Sequence, residues 1–124
     1  MDTIDGGSGN DKIYGEDGDD KIEASNGNDT VYGGDGDDFI DASNGNDTVF
    51  GGPGDDRIRG SNGNDVVCGD SGDDKLAGEN GNDRMDGGSD NDVMLGNLGG
   101  DICVHGEFVS SCENTSTPVP ECSP

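Results

Sequence analysis

The sequence predicts an all-β solenoid in which short parallel strands stack in coils made of two repeats each. Three observations support this prediction: a strict nine-residue repeat, an apolar residue at its eighth position, and an alternation that pairs successive repeats. The repeat runs from Gly6 to Val104 without insertion or deletion and gives eleven copies of the frame GGxGxDxUx, where U is apolar. So regular a period indicates units that each contact only their neighbours.

The last three positions of each repeat predict a strand. The apolar eighth residue is flanked by residues that are often polar, which is the period-two pattern of a strand with one buried face. Three residues form no stable strand alone, but stacked copies satisfy each other's backbone groups and extend one thin core. The predicted buried column is Ile13, Ile22, Val31, Ile40, Val49, Ile58, Val67, Leu76, Met85 and Met94.

The first six positions predict a loop that binds metal. Glycine at the first, second and fourth positions allows positive φ and brings backbone carbonyls towards a shared centre. The sixth position is always aspartate, and carboxylates with carbonyls form the hard oxygen ligand set that Ca²⁺ prefers. The predicted side-chain ligands are Asp11, Asp20, Asp29, Asp38, Asp47, Asp56, Asp65, Asp74, Asp83, Asp92 and Asp101. The predicted carbonyl ligands lie near Gly6, Gly15, Gly33, Gly51, Gly60, Gly69 and Gly78.

A second period defines the coil. The fifth position alternates between asparagine and aspartate, beginning with Asn10 and Asp19, so the full unit is a pair of repeats that forms one 18-residue coil. Such a coil contains two loops and two strands. Loops with asparagine stack along one edge, which we call the Asn edge, and loops with aspartate stack along the other, the Asp edge. Two parallel sheets face each other between them.

The composition restricts the partners. Only 26% of the 124 residues are hydrophobic and the formal charge is −23, a combination that leaves a chain disordered unless a cation offsets the charge. With six Lys and Arg residues the surface repels phosphates, which excludes nucleic acid and disfavours anionic membranes. No apolar run is long enough for membrane insertion. Every acidic cluster has a ligand role and no catalytic constellation is visible, so we expect no enzyme activity.

Two stretches carry a family resemblance. GGSGNDKIY, residues 6 to 14, and GGDGDDFID, residues 33 to 41, resemble the hemolysin-type calcium-binding repeats of RTX proteins, and the similarity runs from Asp2 to Val104. The resemblance implies a right-handed parallel β-roll with Ca²⁺ between loops of successive coils. It also implies an extracellular setting, because such modules usually belong to secreted or cell-surface toxins, proteases, lipases and adhesins. It identifies a module rather than an activity.

The resemblance places each ion between loops that are two repeats apart. The Asn edge then has five stacked aspartate pairs, from Asp11 with Asp29 to Asp83 with Asp101, and the Asp edge has four, from Asp20 with Asp38 to Asp74 with Asp92. Nine Ca²⁺ ions in two rows would reduce the charge from −23 to −5. We expect the last site on each edge to be the weakest, because Asp90 replaces a fourth-position glycine and the Leu98-Gly99-Gly100 loop has lost its polar third and fifth residues.

The sequence divides into three segments. Residues 1–104 form the repeat region, including a partial repeat that starts at Asp2, and we expect either a longer upstream chain or end-to-end association at that end. Residues 105–113 form a C-terminal cap, similar to the D-x-C-x-x-G-E ending often seen after such repeats, which implies a Cys103–Cys112 disulfide and an oxidising compartment. Residues 114–124 are predicted to be a flexible tail. For Cys68 and Cys122, free or intermolecular thiols are favoured over a mutual bond.

Two surface features leave alternatives open. The exposed columns of asparagines on the Asn edge are consistent with an adhesion or ice-binding surface, although suitability for left-handed loops is the favoured explanation. Tyr14, Tyr32 and Phe50 stack at the spacing of one coil, and cross-strand packing is favoured over binding of a partner or glycan. A further alternative is that the repeats are the non-catalytic secretion region of a larger toxin or hydrolase.

Overall fold

The chain forms a parallel β-solenoid of about six turns. The structure is a computed structural model that describes residues 1–114, Val119 and Cys122. Two seven-stranded parallel sheets face each other, as the alternation of Asn and Asp loops predicts. No helix in the described part of the chain is long and apolar enough to cross a membrane.

Odd-numbered strands form the first sheet and even-numbered strands form the second. The first sheet consists of β1 (Thr3–Asp5), β3 (Lys21–Glu23), β5 (Phe39–Asp41), β7 (Arg57–Asn62), β9 (Lys75–Asn80), β11 (Val93–Leu98) and β13 (Phe108–Ser110). The second consists of β2 (Lys12–Asp17), β4 (Thr30–Asp35), β6 (Thr48–Pro53), β8 (Val66–Ser71), β10 (Arg84–Asp86), β12 (Ile102–Val104) and β14 (Glu113–Asn114).

The strand register confirms the 18-residue coil. Ile4 lies opposite Ile22 in the first sheet, and Ile13 lies opposite Val31 in the second. Seven of the strands are six residues long rather than three, because pairing continues into the loop half of the next repeat, as between Glu16 and Gly34. The predicted division into a six-residue loop and a three-residue strand was therefore wrong for these coils.

The core is one narrow apolar column between the sheets. All ten predicted core residues are buried, from Ile22 at 0% exposed to Ile13 at 7% near the N-terminal end. Cys103 continues the column, and Ala24 and Ala42 add small side chains at first positions of repeats. So thin a core buries little apolar surface per residue, and its contribution to stability is correspondingly small.

The glycine positions have different roles from those predicted. Positive φ occurs at the second position even where the residue is not glycine, as at Glu16 with a φ of 76° and Ser25 with a φ of 79°. No first-position glycine has positive φ. The fourth position requires glycine most strictly, because Gly27 has a φ of 136° and a Cβ there would collide with the Gly9 carbonyl of the preceding coil.

The segment that follows the last repeat extends both sheets through a shortened coil. Strand β13 pairs with β11, placing Phe108 opposite Val93, and β14 pairs with β12, placing Glu113 opposite Ile102. In both pairs, fewer residues separate the paired strands than the 18 that separate paired residues in the regular coils. Val109 packs against the core in the position of a repeat's apolar residue. The predicted Cys103–Cys112 disulfide is present and holds the end of this coil to the last repeat.

The interpretation of the other two cysteines was wrong. Cys68 and Cys122 form a disulfide across 54 residues of sequence, and Cys68 is fully buried. Val119 is also buried, at 1% exposed. No periodic signal marks where a non-repeating tail returns to the roll, which is why the pairing was missed. The rest of the predicted tail, residues 115–118, 120, 121, 123 and 124, lies outside the described residues.

Loss of the long-range disulfide is expected to destabilise the folded protein. Closing a loop of this length removes chain entropy from the unfolded state worth about 4 kcal/mol. We expect the double variant Cys68→Ser/Cys122→Ser to show a free energy of unfolding lower by about that amount in guanidinium titrations with excess calcium. An unchanged unfolding midpoint would show that the tail is held to the roll by other contacts.

Candidate metal sites

The sixth-position aspartates form two internal rows, one along each edge of the roll. Ten of the eleven are buried, with exposures from 0% at Asp83 and Asp92 to 3% at Asp20. Asp11, in the first complete repeat, is partly buried. The strict period places each aspartate directly above its predecessor, so the structure brings together the pairs that the sequence predicts.

One carboxylate oxygen joins successive coils in ten of the eleven aspartates, all except Asp11. Asp11 donates its backbone N–H to Asp29 Oδ1 at 2.7 Å, and Asp20 donates to Asp38 Oδ1 at 2.8 Å. The pattern continues to the last pair, in which Asp83 donates to Asp101 Oδ1 at 2.9 Å. The partial repeat takes part as well, because Asp2 donates to Asp20 Oδ1 at 2.6 Å. These bonds fix the orientation of the ten carboxylates that accept them.

The second carboxylate oxygen has no hydrogen-bond partner. Oδ2 is buried and unpaired in all eleven aspartates: Asp11, Asp20, Asp29, Asp38, Asp47, Asp56, Asp65, Asp74, Asp83, Asp92 and Asp101. Leaving one buried polar atom unsatisfied costs about 1–3 kcal/mol, and more for a charged group. A row of such atoms requires either protons or a bound cation.

Backbone carbonyls lie beside these unpaired oxygens. A Cβ built on Gly33 would lie 2.5 Å from Asp38 Oδ2 and 2.6 Å from the carbonyl oxygen of Gly51 in the next coil. On the other edge, a Cβ on Gly60 would lie 2.6 Å from Asp65 Oδ2 and 3.1 Å from the Gly78 carbonyl oxygen. Carboxylate and carbonyl oxygens thus face the same small space, which is the ligand chemistry of Ca²⁺.

The carbonyl predictions have a mixed outcome. The carbonyl oxygens of Gly33, Gly51, Gly69 and Gly78 lie beside the aspartate of the preceding coil, whereas those near Gly6, Gly15 and Gly60 stay predictions. The Gly87 carbonyl oxygen occupies the same place beside Asp74 and was missed, although its first position in the frame could have revealed it. In the described segments, no three His, Cys, Asp or Glu side chains form a group that could hold a metal ion by themselves.

Burial makes ionisation unfavourable for the aspartates in the middle of the two rows. Loss of solvation raises the pKa of Asp47 to about 6 and of Asp74 to about 8, although the backbone N–H bond to each carboxylate opposes the rise. The same cause raises the pKa values of Asp56 and Asp65 to about 7. Neighbouring carboxylates in the row raise these values further. A divalent cation would remove this penalty at neutral pH.

The side chains at the outer loop positions mainly serve the roll itself. Asn44 donates its Nδ2 to Asn26 Oδ1 at 3.0 Å, and this ladder continues through Asn62 and Asn80. At the fifth position Asn10 Oδ1 accepts the backbone N–H of Asn28 at 2.8 Å. These bonds support the structural explanation of the Asn columns; the ice-binding alternative stays a prediction, which thermal hysteresis in calcium buffer would check.

The aromatic ladder also forms as predicted. The ring centroids of Tyr14 and Tyr32 lie 4.9 Å apart, and those of Tyr32 and Phe50 lie 5.0 Å apart, with nearly parallel planes. Lys12 Nζ lies 5.7 Å from the Tyr14 ring centroid. Because the rings cover each other's faces, this arrangement supports cross-strand packing.

Comparison with known proteins decides the family. The family model of the RTX calcium-binding nonapeptide repeat, which spans four copies, matches residues 1–31, 15–49, 32–67, 41–76 and 68–103. The chain belongs to the RTX repeat family. Membership implies calcium binding by a structural repeat module, in agreement with the unpaired oxygens of the two rows. A search of curated proteins finds no match to this RTX chain.

Calcium affinity of the RTX roll should depend on pH only where the unfolded chain binds protons. The raised pKa values mean that, without calcium, the folded chain binds more protons than the unfolded chain between about pH 4 and pH 8, so the stability of the calcium-free fold falls as pH rises through that window. We expect the calcium-free chain to be unfolded at neutral pH, with aspartates that have pKa values of about 3.9 and are already ionised. The calcium midpoint, followed by circular dichroism, should therefore change by less than about twofold between pH 6 and pH 8 and rise steeply below about pH 5, where protons compete for the carboxylates. A midpoint that falls by about tenfold between pH 6 and pH 8 would show instead that calcium displaces protons from an already folded roll.

Proposed function

We propose that this chain is a calcium-folded structural module of a secreted or cell-surface protein, with about nine Ca²⁺ ions in two rows between its coils. The observation that carries the proposal is the set of eleven buried Oδ2 atoms without a hydrogen-bond partner. Hydrogen bonds from neighbouring N–H groups already occupy Oδ1 in all of these aspartates except Asp11, and carbonyl oxygens of the next coil lie beside the Oδ2 atoms, as at Asp38 and Asp65. A divalent cation is the group that such an arrangement accommodates.

Each aspartate has two tasks in this proposal. Its Oδ1 atom accepts an N–H from the preceding coil, as Asp56 does from Asp38 at 2.8 Å. Its Oδ2 atom and the carbonyl of the following coil, here Gly69, would hold an ion between coils. Bound calcium would supply the positive charge that lets the carboxylates remain ionised when buried. Folding and ion binding are then one process, because the ligands of each site come from different coils.

The proposed extracellular location rests on the calcium affinity of such modules and on the two disulfides. Extracellular calcium modules typically bind with dissociation constants of about 10⁻⁴ to 10⁻³ M, above cytosolic calcium levels. Two disulfides in a chain of this size are typical of oxidising compartments. We therefore propose that the chain stays extended where calcium is scarce and folds outside the cell. We propose no catalytic activity for the module itself.

The test is a count of bound ions. Native mass spectrometry of the oxidised chain, titrated with calcium acetate, should show cooperative filling to about nine or more Ca²⁺ ions. Magnesium acetate serves as the control, because Mg²⁺ requires a strict octahedron and retains its waters. Saturation at two or three calcium ions, or equal filling by magnesium, would overturn the proposal.

A further inference from the structure

The shortened C-terminal coil places backbone oxygens beside the last aspartate of each row. A Cβ built on Gly87 would meet the carbonyl oxygen of His105 and Oδ2 of Asp92. A Cβ built on Gly96 would likewise meet the carbonyl oxygen of Ser111 and Oδ2 of Asp101. This coil has no GGxGxD motif, yet it repeats the arrangement that the regular coils make with a first-position carbonyl.

The two terminal aspartates resemble those in the middle of the rows. Asp92 is 0% exposed and Asp101 is 2% exposed, and the Oδ2 atom of each is buried without a hydrogen-bond partner in the described structure. A coil that merely covered the end of the roll would be expected to offer donors to these carboxylates. Instead, the atoms of the covering coil that a Cβ at Gly87 or Gly96 would meet are carbonyl oxygens, and oxygens gathered beside a buried carboxylate are favourable only with a cation between them.

We propose that the C-terminal coil completes one additional calcium site in each row, with the His105 carbonyl at Asp92 and the Ser111 carbonyl at Asp101. The inference rests on the proposed function and extends it. The rows then hold about eleven ions rather than nine, since every buried Oδ2 atom faces one site. The formal charge of the chain is −23. It becomes −5 with nine Ca²⁺ ions and −1 with eleven.

The two terminal sites are held by different contacts. Ser111 precedes Cys112, whose disulfide to the buried Cys103 fixes this part of the coil against the roll. His105 is held instead by its Nδ1 contact with Asp86 Oδ1 at 2.7 Å. The turn that follows His105 is fixed by N–H bonds from residues 107 and 108 to the Asp92 carbonyl, at 2.9 and 3.0 Å. The site at Asp101 therefore depends on the Cys103–Cys112 disulfide, whereas the site at Asp92 does not.

The experiment counts calcium ions by native mass spectrometry at saturating calcium acetate. We expect about eleven ions in the parent chain and about one fewer in Cys103→Ser/Cys112→Ser. The double variant Cys68→Ser/Cys122→Ser is the matched control and should keep the full number. Asp101→Asn and Asp92→Asn should each lose one ion, and both retain an amide oxygen to accept the N–H bond from Asp83 or Asp74.

The outcomes separate this inference from the function on which it rests. Nine ions in the parent chain, with the same number in the Asp101→Asn and Asp92→Asn variants, would overturn the additional sites and leave the calcium module intact. Two or three ions in the parent chain would overturn both. If the Cys103→Ser/Cys112→Ser variant fails to fold, the two asparagine variants with intact disulfides still decide whether the sites exist.

Discussion

Removing calcium with excess EGTA should unfold the whole roll. The chain carries a charge of −23, only 26% of its residues are hydrophobic, and its core is a single thin column. The free energy gained by burying this apolar surface cannot offset the cost of burying eleven unpaired carboxylate oxygens. We expect the parallel-sheet circular dichroism signal to disappear. The radius of gyration from small-angle scattering should rise to about 36 Å, the value for an unfolded chain of this length. Restoring millimolar calcium should reverse both changes.

Two controls distinguish ion binding from general screening of charge. Sodium chloride at about 1 M screens long-range repulsion, with a Debye length of about 3 Å, but it does not fill buried oxygen sites. Magnesium matches the charge of calcium but not its coordination. If the chelated chain retains its β signal, or if either salt restores the signal as well as calcium does, calcium-coupled folding is wrong.

A single carboxylate in the middle of the Asp edge should control calcium affinity. Asp56 accepts the N–H of Asp38 through Oδ1 at 2.8 Å, while its buried Oδ2 atom has no partner. The substitution Asp56→Asn keeps the shape and the hydrogen bond but removes the ligand charge. We expect the calcium midpoint to rise by about tenfold or more, and the bound-ion count to fall by at least one. Calcium titrations followed by circular dichroism and native mass spectrometry measure these two effects.

The neighbouring residue provides the matched control. Asp55 accepts the N–H of Asp73 through Oδ1 at 2.9 Å but is exposed, so Asp55→Asn makes the same chemical change outside the rows. Its calcium midpoint should change by less than about twofold, because exposed charges interact weakly. Equal effects of the two substitutions would show that only overall charge matters.

The Asp56→Asn substitution should have the opposite effect without calcium. Burial raises the pKa of Asp56 to about 7, so at pH 8 its ionised form opposes folding of the calcium-free chain. Asparagine removes that penalty. In EGTA at pH 8 the variant should therefore need less of a stabilising osmolyte to gain β structure than the parent chain. A loss of stability both with and without calcium would indicate that Asp56 contributes only its hydrogen bond.

The agreement between sequence and structure is best where every contact has the same separation. Ile13 lies opposite Val31 and Asp29 accepts from Asp11 because each strand pairs with the strand one full coil away. A strict period therefore specifies the strand register, the core column and the two rows of aspartates without further information. The carbonyl oxygens of first-position residues follow from the same frame. For that reason the Gly87 carbonyl could have been included among the predicted calcium ligands.

The sequence is less informative within one repeat. It suggests that glycine marks positive φ, yet Glu16 and Ser25 adopt positive φ while no first-position glycine does. The backbone conformation is imposed by stacking on the neighbouring coils, which overrides the preference of the individual residue. The lengths of the strands are decided in the same way, because pairing continues wherever adjacent loops run parallel.

By itself the sequence determined the solenoid, its two-repeat coil, its buried column and its two rows of stacked aspartates, because repetition turns local spacing into tertiary contact. Only the tertiary structure decided the Cys68–Cys122 bond and the oxygens of His105 and Ser111 beside the last aspartates. These contacts join non-repeating chain to the roll, and a backbone carbonyl has no side-chain signature. Their positions depend on how the shortened coil packs, which no period specifies.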